Sequence, residues 1–191
     1  MTGSATREPG PSNPCGYDTE RPGLLGPRFR GDDRNNSMPL YFAYGSNMNR
    51  AAMRRRCPAA RAIGPATLEG HKFFVGIDGW GSVKPKRGDS VYGVLWRLTP
   101  RDLAALHAYE LLHQGLYNVR HLPVRSGAQR VPAMIYLLRR RKPGRPKPGY
   151  IEMIAASARA WKLPERYIRS VERWSTSRWT GARVIEVGEL A

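Results

Sequence analysis

The sequence predicts an α+β fold, a small mixed β-sheet or barrel with flanking helices, and three observations support this prediction. Five segments are rich in β-branched and aromatic residues and are bounded by glycine or proline, as strands are. Four other segments repeat apolar residues at the helical period. The helices fall irregularly among the strands, whereas a doubly wound parallel sheet needs regular alternation.

These local signals assign each element in chain order. Strands are expected at 40–44, 66–76, 90–98, 117–125 and 130–138. Helices are expected at 49–56, 100–111, 150–162 and 165–174. The third helix begins after Gly149, and Pro164 separates it from the fourth.

Residues 1–37 are predicted to be a disordered N-terminal extension, and residues 38–191 a single folded domain. The first segment is rich in Pro, Gly, Asn, Asp and Ser and has no sustained period. Met38 stands directly before the first strand, so an alternative is that the native protein starts there. The remaining chain is long enough for one ordinary hydrophobic core.

The chain is strongly basic, with 32 Lys and Arg residues against 15 Asp and Glu residues and a net charge of +17. This charge attracts polyanions and makes nucleic acid a possible partner. The basic run RRRKPGRPKPG at 139–149 is compatible with a solvated loop, a polyanion-binding patch or a minor-groove arm, since Gly-Arg-Pro resembles an AT-hook core. The consecutive Arg54, Arg55 and Arg56 cannot share one helix face and are predicted to be solvated.

Composition also limits the compartment and the chemistry. Cys15 and Cys57 form neither a disulfide framework nor a metal-binding spacing, which favours the reducing cytoplasm. No apolar run approaches the roughly 20 residues that span a bilayer, so no membrane association is expected. The four histidines lack partners at metal-ligand spacing, so we expect no metal. Ser46 and Cys57 lack the sequence context of catalytic nucleophiles.

Glu110 is the acidic residue for which the sequence offers no structural role. Pro100 starts a helix that places Leu103, Leu106 and Glu110 on one face, so the carboxyl group is expected to point toward the core. Burial would raise its pKa and make it a candidate general acid and base. The alternative is that the helix has already frayed and Glu110 reaches water. Asp102, by contrast, suits the first turn of the same helix.

The segment YFAYGSNM at 41–48 contains a strand that breaks into Gly45, Ser46 and Asn47. Such a turn can point its backbone N–H groups into one concavity and hold a carboxylate or a developing oxyanion. Ser46 and Asn47 can alternatively cap the helix that follows. The two roles are compatible, because a helix N-terminus also binds anions.

Four segments together resemble the gamma-glutamylcyclotransferase-like family: YFAYGSNM at 41–48, SVYGVLWRLT at 90–99, LHAYE with GLYNVRHLPV within 106–124, and PGYIEMIAASARAWKLPERYI near the C-terminus. The resemblance covers roughly residues 39–175 in the same order. It implies an α+β fold around a small β-barrel with a glutamyl-binding cavity at its mouth. It also implies release of 5-oxoproline from a small gamma-glutamyl peptide or amine, without a metal or an organic cofactor.

The resemblance further implies which residues form the site. Glu110 matches the catalytic glutamate of the family, and it would carry the proton during an intramolecular attack by the α-amine of the substrate. Tyr44, Gly45, Ser46 and Asn47 match the substrate-binding loop. Tyr117 and Tyr150 match aromatic positions that line the pocket.

Three features depart from the family pattern close to the proposed base. His107 stands where Asp is common, Leu111 follows the glutamate in place of Gly, and the Arg after the pocket tyrosine is displaced to Arg120. These departures leave Glu110 in place as the expected base, but they bear on which substrate is expected, because they lie beside that residue. Two other hypotheses remain beside the enzyme, namely a nucleic-acid-binding module and a non-catalytic binder of gamma-glutamyl metabolites on the same scaffold.

Overall fold

The computed structural model describes residues 38–110 and 115–175. The strands are β1 (Leu40–Ala43), β2 (Arg61–Val75), β3 (Gly81–Arg97), β4 (Tyr117–Ser126) and β5 (Gln129–Leu138). The helices are α1 (Arg50–Arg56), α2 (Pro100–Tyr109), α3 (Tyr150–Ala160) and α4 (Glu165–Glu172), and a 3-10 turn spans Ser46–Met48. The disorder predicted for residues 1–37 lies outside the described residues.

The five strands form a closed barrel in the order β1-β3-β2-β4-β5, which confirms the predicted α+β class. The strands β5 and β1 close it as a parallel pair, and the other neighbours are antiparallel. Two junctions are short: Thr67 of β2 pairs with Arg125 of β4, and Tyr41 of β1 pairs with Met134 of β5. The barrel is therefore a three-stranded sheet and a β4–β5 hairpin joined at two narrow seams.

The strands β2 and β3 are longer than predicted. The sequence of β3 contains a bulge whose residues resemble those of a turn, so the prediction placed the start of the strand too late. Pro85 and Gly88 suggest a turn, but β3 begins at Gly81 rather than near residue 90. Glu69 pairs with Ser90 while His71 pairs with Pro85, so residues 86–89 bulge out of the ladder. The ammonium group of Lys86 lies 3.2 Å from the Asp89 carboxylate across this bulge.

The helix starts follow from their capping residues. Thr99 and Asp102 form a reciprocal capping box at the start of α2, and Asp102 is buried there. The Asn49 side chain accepts a hydrogen bond from the Ala52 backbone N–H and caps α1. The helices α2, α3 and α4 each end two residues earlier than predicted.

The helix α3 supports the 3-10 turn from outside the barrel. Its buried face includes Ile151, Ile154 and Ala158. The indole N–H of Trp161 donates to the Met48 carbonyl at 2.7 Å, which links the end of α3 to the turn. No helix in the described ranges is long and apolar enough to cross a membrane.

The basic segment at 139–149 lies along the β2–β3 turn. The Ile77 N–H donates to the Lys142 carbonyl at 2.8 Å, and the Gly144 N–H donates to the Val75 carbonyl at 3.0 Å. Pro146 is buried. A Gly-Arg-Pro core held in this way would have to break these bonds before it inserted into a minor groove, which weighs against the AT-hook alternative.

Candidate active site

A small chamber lies where β1 ends and β4 begins, and all seven residues singled out in the sequence line it. The full lining is Tyr41, Tyr44, Gly45, Ser46, Asn47, Gly81, Glu110, Tyr117, Tyr136 and Tyr150. This inner chamber has a free volume of about 30 Å³. It adjoins an outer chamber of about 190 Å³, and the two share Ser46, Glu110, Tyr117 and Tyr150.

Glu110 forms the C-cap of α2, and its side chain turns toward the chamber rather than toward bulk water. Its backbone N–H still donates to the Leu106 carbonyl at 2.9 Å, so the last helical turn fixes its position. Its Oε1 atom accepts a hydrogen bond from Asn47 Nδ2 at 2.7 Å. Burial raises the pKa of the carboxyl group to about 7, although the Asn47 hydrogen bond and the Arg56 charge oppose the shift.

Arg56 orients the Asn47 amide. Its guanidinium donates to Asn47 Oδ1 at 2.5 Å. Because guanidinium has no acceptor, the amide oxygen must face Arg56, and the amide nitrogen then faces Glu110 and the Tyr41 hydroxyl, which lies at 2.9 Å. The guanidinium also donates to the Tyr109 hydroxyl at 2.5 Å and lies 3.6 Å from the centre of that ring.

The predicted solvation is therefore wrong for Arg56, whereas Arg54 and Arg55 are exposed.

The turn that follows β1 does not cap α1, because Asn49 does so. The side chain of Asn47 is thereby left to contact Glu110. The backbone N–H groups of residues 45–47 have no partner among the hydrogen bonds of the described residues. They remain available to a ligand at the chamber.

Close packing around the Tyr150 hydroxyl explains why positions 45 and 81 are occupied by glycine. This hydroxyl accepts a hydrogen bond from the Gly81 N–H at 3.0 Å. A Cβ atom at Gly81 would lie 2.9 Å from it, and one at Gly45 would lie 3.0 Å from it. Both positions therefore favour glycine, and Tyr150 connects the N-terminus of α3 to the turn and to β3.

Burial raises the pKa of every tyrosine in the chamber, so their hydroxyl groups are neutral near pH 7. The Tyr44 hydroxyl donates to the Tyr136 backbone carbonyl at 2.5 Å. The Tyr136 hydroxyl is buried and has no hydrogen-bond partner among residues 38–110 and 115–175. It is a candidate donor to a bound ligand.

Sequence reasoning missed four contributors to this region: Tyr41, Arg56, Gly81 and Tyr136. The two tyrosines lie in strand segments, where a buried aromatic residue is expected for packing alone. Arg56 belongs to a run of arginines whose first two members are exposed. None of the four has a distinguishing local signal.

The departures from the family pattern have different positions. The His107 ring packs edge-on against the Tyr136 ring with centroids 5.9 Å apart, and burial lowers the pKa of its imidazole. Arg120 is exposed on β4 and lines neither chamber. Leu111 lies outside the described residues.

Within the described ranges, no group of three or more His, Cys, Asp or Glu residues is placed to hold a metal ion.

The chain is similar in sequence to several known proteins. The AIG2-like family matches residues 90–171. Gamma-glutamylcyclotransferase from Homo sapiens is 26% identical over 162 residues, which cover 79% of this chain and 86% of that protein. The Mus musculus protein of the same name is 27% identical over 154 residues, which cover 74% of this chain and 81% of that protein.

A solved structure described as gamma-glutamyl cyclotransferase has the same fold. It aligns with a TM-score of 0.67 and 24% sequence identity, covering 80% of this chain and 93% of that one. The family match, the curated relatives and the shared barrel agree with one another. The chain is therefore similar to gamma-glutamylcyclotransferases in sequence and shares their fold.

Proposed function

We propose that the protein is a gamma-glutamylcyclotransferase that releases 5-oxoproline from a small gamma-glutamyl peptide or amine, with Glu110 as acid and base. The main support is the half-buried Glu110 carboxyl group, which contacts Asn47 of the turn at 44–47 inside a tyrosine-lined chamber. The curated relatives named gamma-glutamylcyclotransferase support the same reaction.

The reaction exchanges one amide bond for another. The α-amine of the substrate attacks the γ-carbonyl carbon, a C–N bond closes the five-membered ring, and the carbonyl oxygen becomes an oxyanion. The oxyanion then collapses and the C–N bond to the outer amine breaks. Glu110 takes the proton released by the attacking amine and delivers it to the leaving nitrogen, so no water or redox partner is consumed.

The environment of Glu110 suits both proton transfers. A pKa of about 7 lets the carboxyl group accept and donate a proton near neutral pH. Asn47 bonds to Oε1, whereas Oε2 has no hydrogen bond to the described residues. We assign the transfers to Oε2.

The turn and the tyrosines would hold the substrate. The N–H groups of residues 45–47 are suited to the glutamyl carboxylate or to the oxyanion. Tyr44, Tyr117 and Tyr150 would form the walls, and the Tyr136 hydroxyl offers one further donor. The inner chamber holds little more than a water molecule, so the glutamyl group would also occupy the outer chamber or widen the inner one.

No protein nucleophile is needed in this mechanism. The thiol of Cys57 donates to the Asp102 carbonyl at 3.4 Å, and burial raises the pKa of the thiol to about 11. It lines neither chamber. This reduced, buried cysteine fits the cytoplasm, the compartment that we propose for the protein, and glutathione is one gamma-glutamyl peptide to test there.

The test is 5-oxoproline release from a panel of gamma-glutamyl amino acids, gamma-glutamyl amines and glutathione. We expect wild-type turnover of at least one substrate, and a loss of about 100-fold or more in Glu110→Gln, because the amide cannot carry the proton. Glu69→Gln is the matched control, since Glu69 is exposed and bonds to Arg125 outside the site.

The outcomes separate the hypotheses. Undiminished turnover in Glu110→Gln would reject the assigned base. Ligand-induced thermal stabilisation without product from any substrate would instead support a non-catalytic binder of gamma-glutamyl metabolites.

A further inference from the structure

A third cavity, the basic groove, lies between α4 and the β2–β3 ribbon. It has a volume of about 670 Å³ and shares no lining residue with the two chambers of the candidate active site. Its cationic walls come from Lys72 of β2, Lys86 of the bulge, and Arg166 and Arg173 of the α4 region. All four side chains belong to exposed residues.

Most of this positive charge has no acidic partner. Asp89 is the acidic residue of the described lining, and it pairs with Lys86. Lys72 and Arg173 form no ion pair with residues 38–110 or 115–175, and Arg166 donates to the neutral Tyr92 hydroxyl at 3.3 Å. Within the part of the chain that the structure describes, the groove therefore has three cations without an acidic partner.

The spacing of these cations favours an extended ligand. Arg166 and Arg173 are seven residues apart, which is about two helical turns and roughly 10 Å along the axis of α4. Two phosphates of one extended chain can each contact one of these cations.

Aromatic side chains stand among the charges. The Tyr92 ring packs on the buried Tyr167 ring with centroids 5.2 Å apart, and its hydroxyl bonds to Arg166, so its position is held from two sides. Trp174 is half-buried at the end of the groove, beside Arg173. Basic side chains interleaved with aromatic rings are typical of surfaces that bind unpaired bases and their phosphates.

We propose that the basic groove binds single-stranded nucleic acid, with Lys72, Arg166 and Arg173 on phosphates and Trp174 against a base. A duplex would satisfy the charges equally well but would leave the aromatic rings without exposed base faces. The net charge of +17 promotes the encounter with any polyanion, and the groove supplies the local site.

The test is fluorescence anisotropy of a labelled oligonucleotide of about 12 nucleotides, a length within the usual site size, titrated with the full chain over a salt series. The groove variant combines Lys72→Gln, Arg166→Gln and Arg173→Gln. The matched control combines Arg54→Gln, Arg55→Gln and Arg141→Gln, which removes the same charge from exposed residues outside the groove.

We expect the groove variant to lower the salt slope of log K by about 2, since each lost phosphate contact contributes about 0.7 for a single strand. The control variant should retain most of the wild-type slope. Trp174→Ala should weaken binding with little change in slope, because stacking releases no counterions. Release of 5-oxoproline should be the same in the groove variant as in the wild type.

Three results would overturn the proposal. Equal losses in the groove and control variants would show that net charge alone attracts the oligonucleotide. Duplex binding as tight as single-strand binding would remove the role of the aromatic rings. A lack of binding at physiological salt would exclude the site, whatever the outcome of the turnover assay.

Discussion

The carboxyl group of Glu110 loses hydration at the chamber, and this loss has a cost in stability as well as the proposed use in proton transfer. Its pKa rises from an ordinary value of 4.5 to about 7, so the folded chain keeps a proton that the unfolded chain releases. The stability that comes from the neutral carboxyl is fully present below pH 4.5. It is lost as the pH rises to about 7.

We therefore expect Glu110→Gln to be more stable than the wild type at pH 8, with a smaller difference at pH 5. Thermal midpoints measured across this range check the expectation. Glu69→Gln is again the control, because Glu69 bonds to Arg125 and its pKa is lowered rather than raised. A midpoint difference for Glu110→Gln that does not depend on pH would contradict the shifted pKa.

Arg56 acts on the same carboxyl group through Asn47 and through its charge. Replacing it with Gln removes a cation that opposes the rise in the Glu110 pKa, so the acidic limb of the kcat/KM profile should move to higher pH. The loss of the hydrogen bond from Arg56 to the Asn47 amide should also lower kcat by about 10-fold, since such a bond is worth roughly 1.4 kcal/mol.

Arg55→Gln is the matched control for this change, because Arg55 is the exposed neighbour on the same helix. Its pH profile should equal that of the wild type. Non-additive effects of Arg56→Gln and Asn47→Ala would show that the two act together. Equal shifts in the Arg55 and Arg56 variants would indicate a general charge effect instead.

At the scale of elements, the site depends on the contact between α3 and the 3-10 turn. Trp161→Phe removes the indole N–H that satisfies the Met48 carbonyl, and it should destabilise the fold by about 1–3 kcal/mol. Urea denaturation measures this loss. Because the turn carries Asn47, 5-oxoproline release should fall as well.

Trp96→Phe is an internal control for the size of the ring. Trp96 packs edge-on against Trp161 with centroids 6.0 Å apart, but its own indole N–H has no hydrogen-bond partner among the described residues. It should therefore be less destabilising than Trp161→Phe. A larger loss in Trp96→Phe would show that ring packing, and not the hydrogen bond to the turn, dominates.

At the scale of the whole molecule, the sequence predicts the element types better than their ends. Apolar period and capping residues locate α1 to α4 within two residues at either end. The long β2–β3 ribbon was cut short in the prediction because Pro85 and Gly88 have the same local signature in a bulge as in a turn. Only pairing across the sheet distinguishes the two.

The predicted site residues converge on one chamber because they lie at the ends of elements, where turn chemistry and the family resemblance make them visible. Tyr41, Tyr136 and Arg56 acquire their positions from partners distant in the chain. Asn47 and Glu110 are 63 residues apart, and their contact depends on the packing of the turn after β1 against the end of α2. Neither periodicity nor spacing reports a contact of that kind.

The two narrow seams divide the barrel into two parts, or leaves, and each seam contains a single paired position. One leaf is the β1-β3-β2 sheet with Tyr44 and Gly81, and the other is the β4–β5 hairpin with Tyr117 and Tyr136. A substrate that parts the leaves at a seam enlarges the small inner chamber while both long antiparallel ladders stay intact. Admission of a glutamyl group would then cost few hydrogen bonds, among them the one that Tyr44 donates across the seam to Tyr136.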